Sequence, residues 1–498
     1  MSLVDFLKSK NFLAQNEKPS ISRLRTVLRE YLQTVLTKEQ YQAFSDMLNF
    51  CDVEDGNKFL MLGYAGVGKT FVLNWLIAYI IFCRPYTLKI TAPTNKAAAV
   101  IRNNLKSNEF MDDNVIDLLE VNTLHSLLKI KMSINSKGEC YFDTKKVDTE
   151  ALTSYLGEKI ILIVDECSMI DETIYNIIDS LDIKIIFVGD PCQIPPVNKT
   201  ESIVFKNKSK AIVTELTQIM RQSVGNPIIA KSKAIRDNIR EANCVDYKTE
   251  LIGTQGIIYY TQGKKEEFFT RLSDTFCSRE YKEDINHAKV ISWTNDSVNN
   301  INKLIHRLRF GPMARIIMPG EYVTTLSPCF TKPSNGDDER RMIANTNSDF
   351  IIKNIIEDFT LPFVYKNKKH EINMDVKFKT VHFTATDLIT NEDVIFDLIK
   401  DCSKHEWYRC IEFLKNKAVS AKVPSEKVKL WKVFYTLKEI NDNLNYSYSI
   451  TAHRSQGSTY KNVFLIESDI DKNKDIYERN RIKYTAYTRA KENLYIML

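Results

Sequence analysis

The chain has 498 residues, of which 44% are hydrophobic and 27% charged, values typical of a soluble globular protein and not of a low-complexity chain. This length suggests roughly two to four domains. The formal net charge of +6 permits an anionic partner but does not require one, because a solvated basic surface has the same composition. The longest apolar run, residues 71–83, is too short to span a bilayer and contains Asn74. It is therefore better interpreted as a buried core helix.

The cysteine pattern argues against a metal site or a disulfide framework. The 10 cysteines are scattered, without a C-x-x-C pair and without a cluster that includes histidine. We expect reduced, mostly buried thiols in a cytoplasmic protein. The first ten residues show no apolar stretch of the signal-peptide type, which favours the same compartment.

The first part of the chain predicts a helical segment followed by a parallel sheet. Residues 1–35 carry apolar side chains at helical spacing, which indicates an accessory segment ahead of the first core. From Leu36 to about Gln222, four nearly continuous apolar runs alternate with helical segments, as strands buried on both faces of a parallel sheet do. These runs are residues 58–63, 88–94, 159–166 and 183–190. Functional residues are expected where such strands end.

Two stretches interrupt this alternation of strands and helices. Residues 129–148 contain two short strand-like pieces around a Ser-Lys-Gly turn, which predicts a hairpin inserted into the first core. A second α/β region begins near residues 287–296. Residues 319–400 then carry four prolines and alternating runs such as residues 375–383, which predicts a small β-barrel insert. Residues 404–442 are helical in pattern, and the final stretch returns to strand, helix and strand.

The stretch GYAGVGKT at residues 63–70 is a phosphate-binding loop of the form G-x-x-x-x-G-K-T. Its glycines, Gly63, Gly66 and Gly68, allow backbone amides to approach phosphate oxygens closely. Lys69 is expected to neutralise the β- and γ-phosphates, and Thr70 to ligate magnesium. An apolar strand precedes this loop and an apolar helix follows, which is the structural context that such a loop requires.

A second motif, IVDECSM at residues 163–169, supplies two carboxylates at the end of an apolar strand. Asp165 is placed to hold the magnesium ion together with Thr70, and Glu166 to polarise a water molecule for attack on the γ-phosphate. Glu166 therefore favours hydrolysis by water over transfer to a hydroxyl group. Gln193 follows the next strand and is a candidate sensor of the γ-phosphate, although a turn glutamine that satisfies local backbone is the simpler interpretation of that residue alone.

Nine motifs together resemble those of superfamily 1 helicases, most closely the RecD/Dda-like branch that moves 5′→3′ on single-stranded DNA. In chain order they are LTKEQ (36–40), GYAGVGKT (63–70), TAPTNKAA (91–98), TLHSLLKIK (123–131), IVDECSM (163–169), GDPCQIPPV (189–197), LTQIMRQ (216–222), TAHRSQGST (451–459) and YTAYTRA (484–490). The resemblance extends from about Leu36 to Leu498. It implies an α/β fold of two RecA-like P-loop NTPase cores with ATP between them.

The resemblance also implies roles for individual residues. Gln40 would read adenine, Arg221 and Arg489 would stabilise the γ-phosphate, and Gly457 would reach the nucleotide from the second core. Single-stranded DNA would cross both cores. The residues implied to contact it are Pro93, Thr94, Thr123 and His125 in the first core and Thr294, Asn295, Thr451, His453 and Ser455 in the second. Hydroxyls, amides and imidazoles can hold phosphates and sugars in this way without reading sequence.

The inserts have counterparts in the same family. The hairpin matches the pin that separates DNA strands, with Phe142 as its aromatic residue. Trp431 matches an aromatic of the helical tower that packs against the pin, which implies an aromatic–aromatic contact with Phe142. The barrel matches an SH3-like subdomain. The implied units are an accessory segment (1–35), a first core (36–126 and 150–222), a pin (127–149), a second core (223–319 and 445–498) and a barrel with a helical tower (320–444). Residues 1–35 have no counterpart and are either a brace against the first core or a partner-binding arm.

These inferences predict an ATP-dependent, Mg²⁺-dependent DNA helicase that acts as a monomer on single-stranded and forked duplex DNA. Single-strand-binding or replication proteins are expected partners, and a membrane is not. By analogy with compact phage enzymes, a role in replication or recombination is expected. Three alternatives remain open: a remodeller of protein–DNA or RNA complexes, the helicase subunit of a nuclease complex, and a single-strand binder without ATPase activity.

Overall fold

Two α/β lobes, each built on a six-stranded sheet, form the body of the protein in the computed structural model. The structure describes residue 6 and residues 21–53, 56–106, 119–196, 199–218, 226–332 and 341–498. None of the helices in these ranges combines the length and apolar character that a membrane-spanning segment needs.

The first lobe is a parallel sheet covered by helices on both faces. Its strands are β1 (Lys58–Gly63), β2 (Thr87–Ala92), β3 (Glu120–Thr123), β6 (Ile160–Val164), β7 (Lys184–Gly189) and β8 (Ile212–Leu216), arranged in the order β3-β2-β6-β7-β1-β8. Its helices are α1 (Ile21–Val35), α2 (Lys38–Asp52), α3 (Lys69–Cys83), α4 (Asn95–Lys106), α5 (Leu124–Leu127), α6 (Thr149–Leu156), α7 (Glu172–Asp179) and α8 (Ile203–Lys206). The four strands predicted from apolar runs all lie in this sheet.

Burial explains why these strands were recognisable in the sequence. All five residues of β6 are buried, and every strand pair in this sheet is parallel. The predicted apolar helix is α3, which directly follows the phosphate-binding loop and has nine buried residues. Because helices cover both faces, these segments contain almost no polar alternation.

The second lobe repeats this design with a different strand order, β19-β11-β20-β21-β10-β9, in which only the β9–β10 pair is antiparallel. Its strands are β9 (Glu250–Ile252), β10 (Gln255–Tyr260), β11 (Ala288–Ser292), β19 (Ser449–Thr451), β20 (Tyr460–Ile466) and β21 (Ala490–Met497). Its helices are α9 (Pro227–Asp237), α10 (Lys265–Cys277), α11 (Arg279–Glu283), α12 (Asn295–Phe310), α15 (Glu467–Ile470) and α16 (Ile476–Tyr487). The chain thus forms the predicted α/β fold with two cores.

Between β11 and β19 the chain leaves the second lobe to form a β-rich insert with two helices. Its antiparallel sheet has the order β17-β16-β15-β12-β18. The strands are β12 (Tyr322–Thr325), β15 (Asp349–Asn367), β16 (Ile372–Asp387), β17 (Asp393–Ile399) and β18 (Leu444–Tyr446), and β13 (Cys329–Phe330) pairs separately with β14 (Met342–Ala344). The two helices, α13 (Asp401–Ser420) and α14 (Pro424–Lys438), pack on the far half of the β15–β16 hairpin.

The segment predicted as a hairpin in the first lobe consists of β4 (Met132–Ile134) and β5 (Cys140–Phe142). Its turn rests on α14 of the insert, where the Tyr435 hydroxyl donates a 2.7 Å hydrogen bond to the carbonyl oxygen of Gly138. The Trp431 ring covers the same glycine, because a β-carbon added there would lie 2.5 Å from the ring. The insert therefore holds the tip of the hairpin.

The described part of the N-terminal segment packs tightly against the first lobe. Helix α1 buries Val27, Leu28, Tyr31 and Leu32. The Tyr31 ring lies 5.6 Å from that of Trp75 on α3, and the Arg25 side chain donates a 2.9 Å hydrogen bond to the carbonyl of Cys83. Residues 21–35 thus have the contacts of a brace, and residues 1–5 and 7–20 lie outside the described ranges.

Replacing Gly138 with alanine should detach the hairpin tip from α14. The new β-carbon would collide with the Trp431 ring. In addition, the backbone φ of Gly138 is 85°, an angle that residues with a β-carbon rarely adopt. We expect a local cost of about 1–3 kcal/mol, measured as faster amide hydrogen exchange in residues 132–142. Gly253→Ala is the matched control, since Gly253 has a φ of 62° and no atom within 4 Å of an added β-carbon. Equal exchange in the two variants would contradict the contact with Trp431.

Candidate active site in the cleft between the lobes

The phosphate-binding loop connects β1 to α3, and its glycines adopt backbone angles that other residues avoid. Gly66 and Gly68 have φ values of 87° and 86°. A β-carbon on Gly68 would also lie only 2.4 Å from Nε2 of Gln40. The Lys69 ammonium donates hydrogen bonds to the carbonyls of Gly63 and Tyr64, at 2.7 Å and 3.2 Å. The loop thus positions the Lys69 ammonium at the N-terminus of α3, beside backbone amides of the kind that bind phosphate.

Two carboxylates follow β6 at the carboxyl edge of the sheet. The amide of Asp165 donates a 2.9 Å hydrogen bond to the carbonyl of Thr91, and its carboxylate accepts a 2.8 Å hydrogen bond from the amide of Glu166. Burial, reinforced by the charge of Glu166, raises the pKa of Asp165 to about 7, although Lys69 opposes this shift. Glu166 has a φ of 50°, a strained angle for a residue with a side chain.

Gln193 comes from the loop after β7 and is 2% exposed. Its Oε1 atom is buried, as is Oε2 of Glu166, and neither accepts a hydrogen bond from any described residue. The hydroxyl of Ser458 in the second lobe is also buried and has no hydrogen-bond partner among the described residues. All three side chains line one cavity, so their unpartnered atoms are available to a polar ligand.

A cavity of about 540 Å³ separates the two lobes at this point. Its volume lies within the range of small-molecule sites. From the first lobe it is lined by Lys69, Thr70, Asp165, Glu166 and Gln193, and from the second by Gly457, Ser458, Thr459 and Arg489. Gly457 lies directly against α4, because a β-carbon on it would lie 3.1 Å from that of Ala97. The structure thus brings together residues that are more than 400 positions apart in sequence.

Arg489 is 4% exposed and firmly positioned. Its guanidinium donates hydrogen bonds to the carbonyls of Thr485 and Ser458 and to the hydroxyl of Thr488, at 2.9–3.1 Å. All three acceptors are neutral, so these contacts leave the positive charge without a counter-ion. A buried guanidinium of this kind is well suited to a phosphate.

Helix α16 of the second lobe is the main bridge across the cleft. The Tyr484 hydroxyl accepts a 3.1 Å hydrogen bond from the amide of Ala65 in the phosphate-binding loop and donates one of 2.8 Å to Asp190. The Arg481 guanidinium, 1% exposed, donates to the backbone carbonyls of Pro191, Gln193 and Thr200. The loop that carries Gln193 is therefore held by the second lobe.

Three of the residues predicted for the nucleotide site are placed outside the cavity or outside the described ranges. The Gln40 side chain accepts from the amide of Thr37 and donates to the carbonyl of Val67, so it anchors the phosphate-binding loop. Gly63 does not line the cavity, and its carbonyl accepts a hydrogen bond from the Lys69 ammonium. Arg221 lies outside the described residues.

The residues predicted to contact DNA form similar groups in the two lobes. Thr94 and Thr294 each follow a strand and cap the next helix, accepting hydrogen bonds from the amides of Ala97 and Ser297 at 3.2 Å and 3.3 Å. Pro93 precedes Thr94, and Asn295 follows Thr294. Thr123 and Thr451 end the neighbouring edge strands β3 and β19. Both sheets therefore place a threonine pair and a helix N-terminus at one edge.

Both histidines of the predicted track are partly buried. Burial lowers the pKa of His125 and of His453 below the ordinary value, although Asp171 and Glu478, respectively, oppose these shifts. Near neutral pH both side chains are therefore neutral imidazoles that can exchange hydrogen bonds but add no positive charge. Ser455 differs from the prediction, because it is 0% exposed and its hydroxyl donates to the carbonyl of Ala452.

The aromatic residues of the hairpin also differ from the implied arrangement. Phe142 is 48% exposed, and its ring lies 4.3 Å from that of His125. Trp431 covers Gly138 and stacks edge-on against Phe434, so it contacts the hairpin tip and not Phe142. Phe142 thus stands at the hairpin base beside a predicted DNA contact.

Comparisons with known proteins match both lobes. A family model described as an AAA domain matches residues 53–199, and one described as a UvrD-like helicase C-terminal domain matches residues 446–497. Protein R530 of Acanthamoeba polyphaga mimivirus is 27% identical over 515 aligned positions, covering 93% of this chain and 99% of that protein. The RecBCD enzyme subunit RecD of Buchnera aphidicola is 25% identical, covering 88% of this chain and 70% of that subunit.

Among solved structures, the Pif1 helicase from Bacteroides in complex with ADP-AlF3 and single-stranded DNA is 18% identical, covers 92% of both chains and has a TM-score of 0.44. The two family models match one segment in each lobe, and the ordered motifs around the cleft resemble those of superfamily 1 helicases.

Two residues of the lobe interface had no predicted role. Tyr484 lies inside the quoted motif YTAYTRA, so the motif could have suggested it. Arg481 precedes that motif, and its acceptors are backbone carbonyls about 280–290 positions away. Backbone acceptors leave no mark on the sequence, and only the fold shows this contact.

Replacing Tyr484 with phenylalanine should weaken the coupling between the lobes without disturbing the core. The lost hydroxyl bridges the phosphate-binding loop and Asp190, and a hydrogen bond to a charged group contributes about 1.5–3 kcal/mol. We expect kcat for ATP hydrolysis to fall at least about tenfold, the equivalent of ~1.4 kcal/mol, in a steady-state ATPase assay. Tyr155→Phe, which removes a hydroxyl from a half-exposed side chain on α6, is the control. A wild-type kcat in the Tyr484 variant would contradict the bridge.

Proposed function

We propose that this protein hydrolyses Mg-ATP in the cleft between its lobes to move 5′→3′ along single-stranded DNA and to separate duplex DNA at a fork. The observation that carries the proposal is the shared cavity. Lys69, Asp165 and Glu166 come from one lobe and Arg489 comes from the other. A triphosphate in this cavity binds both lobes at once, and loss of the γ-phosphate removes the anion that joins them.

The residues present fit a magnesium–triphosphate complex. Thr70 and Asp165 offer the hydroxyl and carboxylate oxygens that Mg²⁺ prefers, and the ion would keep Asp165 ionised despite its burial. Lys69 and Arg489 would balance charge on the phosphates. Glu166, with one carboxylate oxygen unpartnered, is placed to orient the attacking water, and Gln193 to sense the γ-phosphate.

The two matching edges provide the DNA track. Each places a helix N-terminus, capped by Thr94 or Thr294, beside the threonine that ends the edge strand. Helix N-termini attract phosphates through free amides and the helix dipole. Because one edge belongs to each lobe, closing and opening the cleft would change the distance between the two grips. The direction of movement rests on the resemblance to the RecD-like branch.

Paired fork substrates with either a 5′ or a 3′ single-stranded tail test this proposal. We expect ATP-dependent unwinding of the 5′-tailed substrate only, because a motor that moves 5′→3′ must load on a 5′ tail. Glu166→Gln is the control, and it should bind DNA but unwind nothing. Unwinding of only the 3′-tailed substrate would contradict the direction. No unwinding of either substrate, with ATPase still stimulated by DNA, would favour a remodeller.

Phe142 is proposed to act as the wedge at the fork, since it is half exposed at the hairpin base next to His125. Replacing it with alanine should remove stacking worth about 1 kcal/mol, or roughly fivefold in unwinding rate. DNA-stimulated ATPase should stay near the wild-type value. Tyr141→Ala is the matched control, because Tyr141 is the exposed neighbour on the opposite face of the strand. Equal loss of ATPase and unwinding would show a structural role for Phe142.

A further inference from the structure

A buried cluster of charges joins the nucleotide cavity to the β-rich insert. Lys96, on α4 of the first lobe, lines the cavity. Its ammonium lies 2.9 Å from a carboxylate oxygen of Asp349, the first residue of β15, and 3.3 Å from the Tyr460 hydroxyl of the second lobe. The side chains of Lys96 and Asp349 are only 17% and 13% exposed. One ion pair therefore connects three parts of the molecule next to the ATP site.

Asp349 also has polar neighbours other than Lys96. Its second oxygen accepts a 2.8 Å hydrogen bond from the Ser447 hydroxyl. Ser447 in turn accepts from the buried ammonium of Lys289. Burial alone would raise the pKa of Asp349, but Lys96 and Lys289 lower it to about 2. Burial lowers the pKa of Lys289 to about 7. Asp349 is thus an anion whose direct ion-pair partner is Lys96.

Lys96 accordingly has a bound anion on one side and the nucleotide cavity on the other. A triphosphate entering the cavity brings several negative charges to a site where the lining cations are Lys69, Arg489 and Lys96. A flexible ammonium is a point charge that can change partners, unlike a guanidinium fixed by several planar hydrogen bonds. If Lys96 turned to the phosphates, Asp349 would keep its hydrogen bond from the Ser447 hydroxyl.

The insert extends from this ion pair to the hairpin. Strand β15 has 19 residues and spans roughly 60 Å at about 3.3 Å per residue. Leu361 and Phe363, in its far half, pack in one hydrophobic cluster with Trp431 of α14, and Ile134 of the hairpin packs against that cluster. The paired strands β15 and β16 therefore connect Asp349 to the cluster that the hairpin contacts.

We infer that Lys96 is a shared cation for which ATP and Asp349 compete, so that nucleotide binding is transmitted through β15 to the strand-separating hairpin. The proposed ATP-binding role of Lys96 depends only on its position in the lining of the cavity. The transmission to the hairpin rests on the proposed helicase function. Asp349 is in this scheme a positioning residue, because it acts on the nucleotide only through Lys96.

The test compares two variants in the full-length protein. Lys96→Met removes the cation and should raise the KM for ATP about tenfold or more, as expected for losing a charge-assisted hydrogen bond. Asp349→Asn keeps the hydrogen bond with Ser447 but frees Lys96. It should leave the KM unchanged or lower it, while reducing the base pairs unwound per ATP on a 5′-tailed fork at least about threefold. The double variant should show no additional loss of unwinding per ATP.

Asp358→Asn is the matched control, because Asp358 lies on the same strand and forms a 2.8 Å ion pair with Lys400 while being 82% exposed. It should match the wild type in KM and in unwinding per ATP. An unchanged KM in Lys96→Met would overturn the inference even if the wild type unwinds nothing. If the wild type unwinds DNA, wild-type coupling in Asp349→Asn, or a raised KM in that variant, would also overturn it.

Discussion

The proposed mechanism depends on one constraint: the negative charge of a triphosphate in the cleft must be balanced by cations from two separate lobes. Lys69 is held by carbonyls of its own loop, and Arg489 by neutral oxygens of the second lobe. Neither contact neutralises its charge. The cavity therefore offers one cation from each lobe, with Asp165 and Glu166 on the first-lobe wall, and a triphosphate that binds both cations would stabilise the closed cleft.

The interface around the cavity includes several hydrogen bonds to backbone atoms. Arg481 donates to three carbonyls, and Tyr484 joins a loop amide to Asp190. Such contacts fix the position of the loop that carries Gln193. They make the position of Gln193, the proposed phosphate sensor, depend on the position of the second lobe. The proposed motor requires this property if hydrolysis is to occur only in the closed state.

The sequence predicted those parts of the structure that are determined by residues close together in the chain. Strands β1, β6 and β7 were evident because burial on both faces leaves continuous apolar runs, and the phosphate-binding loop because its glycines need unusual angles. It did not predict contacts made by folding distant segments together. The pair of Lys96 with Asp349 spans 253 positions. Likewise, the burial of Ser455 follows from the turn after β19, not from its residue type.

For the hairpin and the β-rich insert, too, the sequence predicted local structure but not long-range contacts. Alternating runs correctly indicated β structure, but not that two strands would extend for 19 and 16 residues. Aromatic residues at Phe142 and Trp431 suggested a direct pair. The structure instead places Trp431 on Gly138, because the absence of a side chain at a glycine leaves room for the ring. The packing of a ring against a glycine cannot be predicted from residue types alone.

The distance between the lobes tests the central claim most directly. Fluorophores attached at two exposed sites, Glu150 on α6 and Glu266 on α10, would report it by resonance energy transfer. A non-hydrolysable ATP analogue should shorten this distance relative to ADP in the wild type, and Arg489→Ala should bind the analogue without the shortening. An equal distance with the analogue and with ADP in the wild type would contradict joint clamping of the triphosphate by the two lobes.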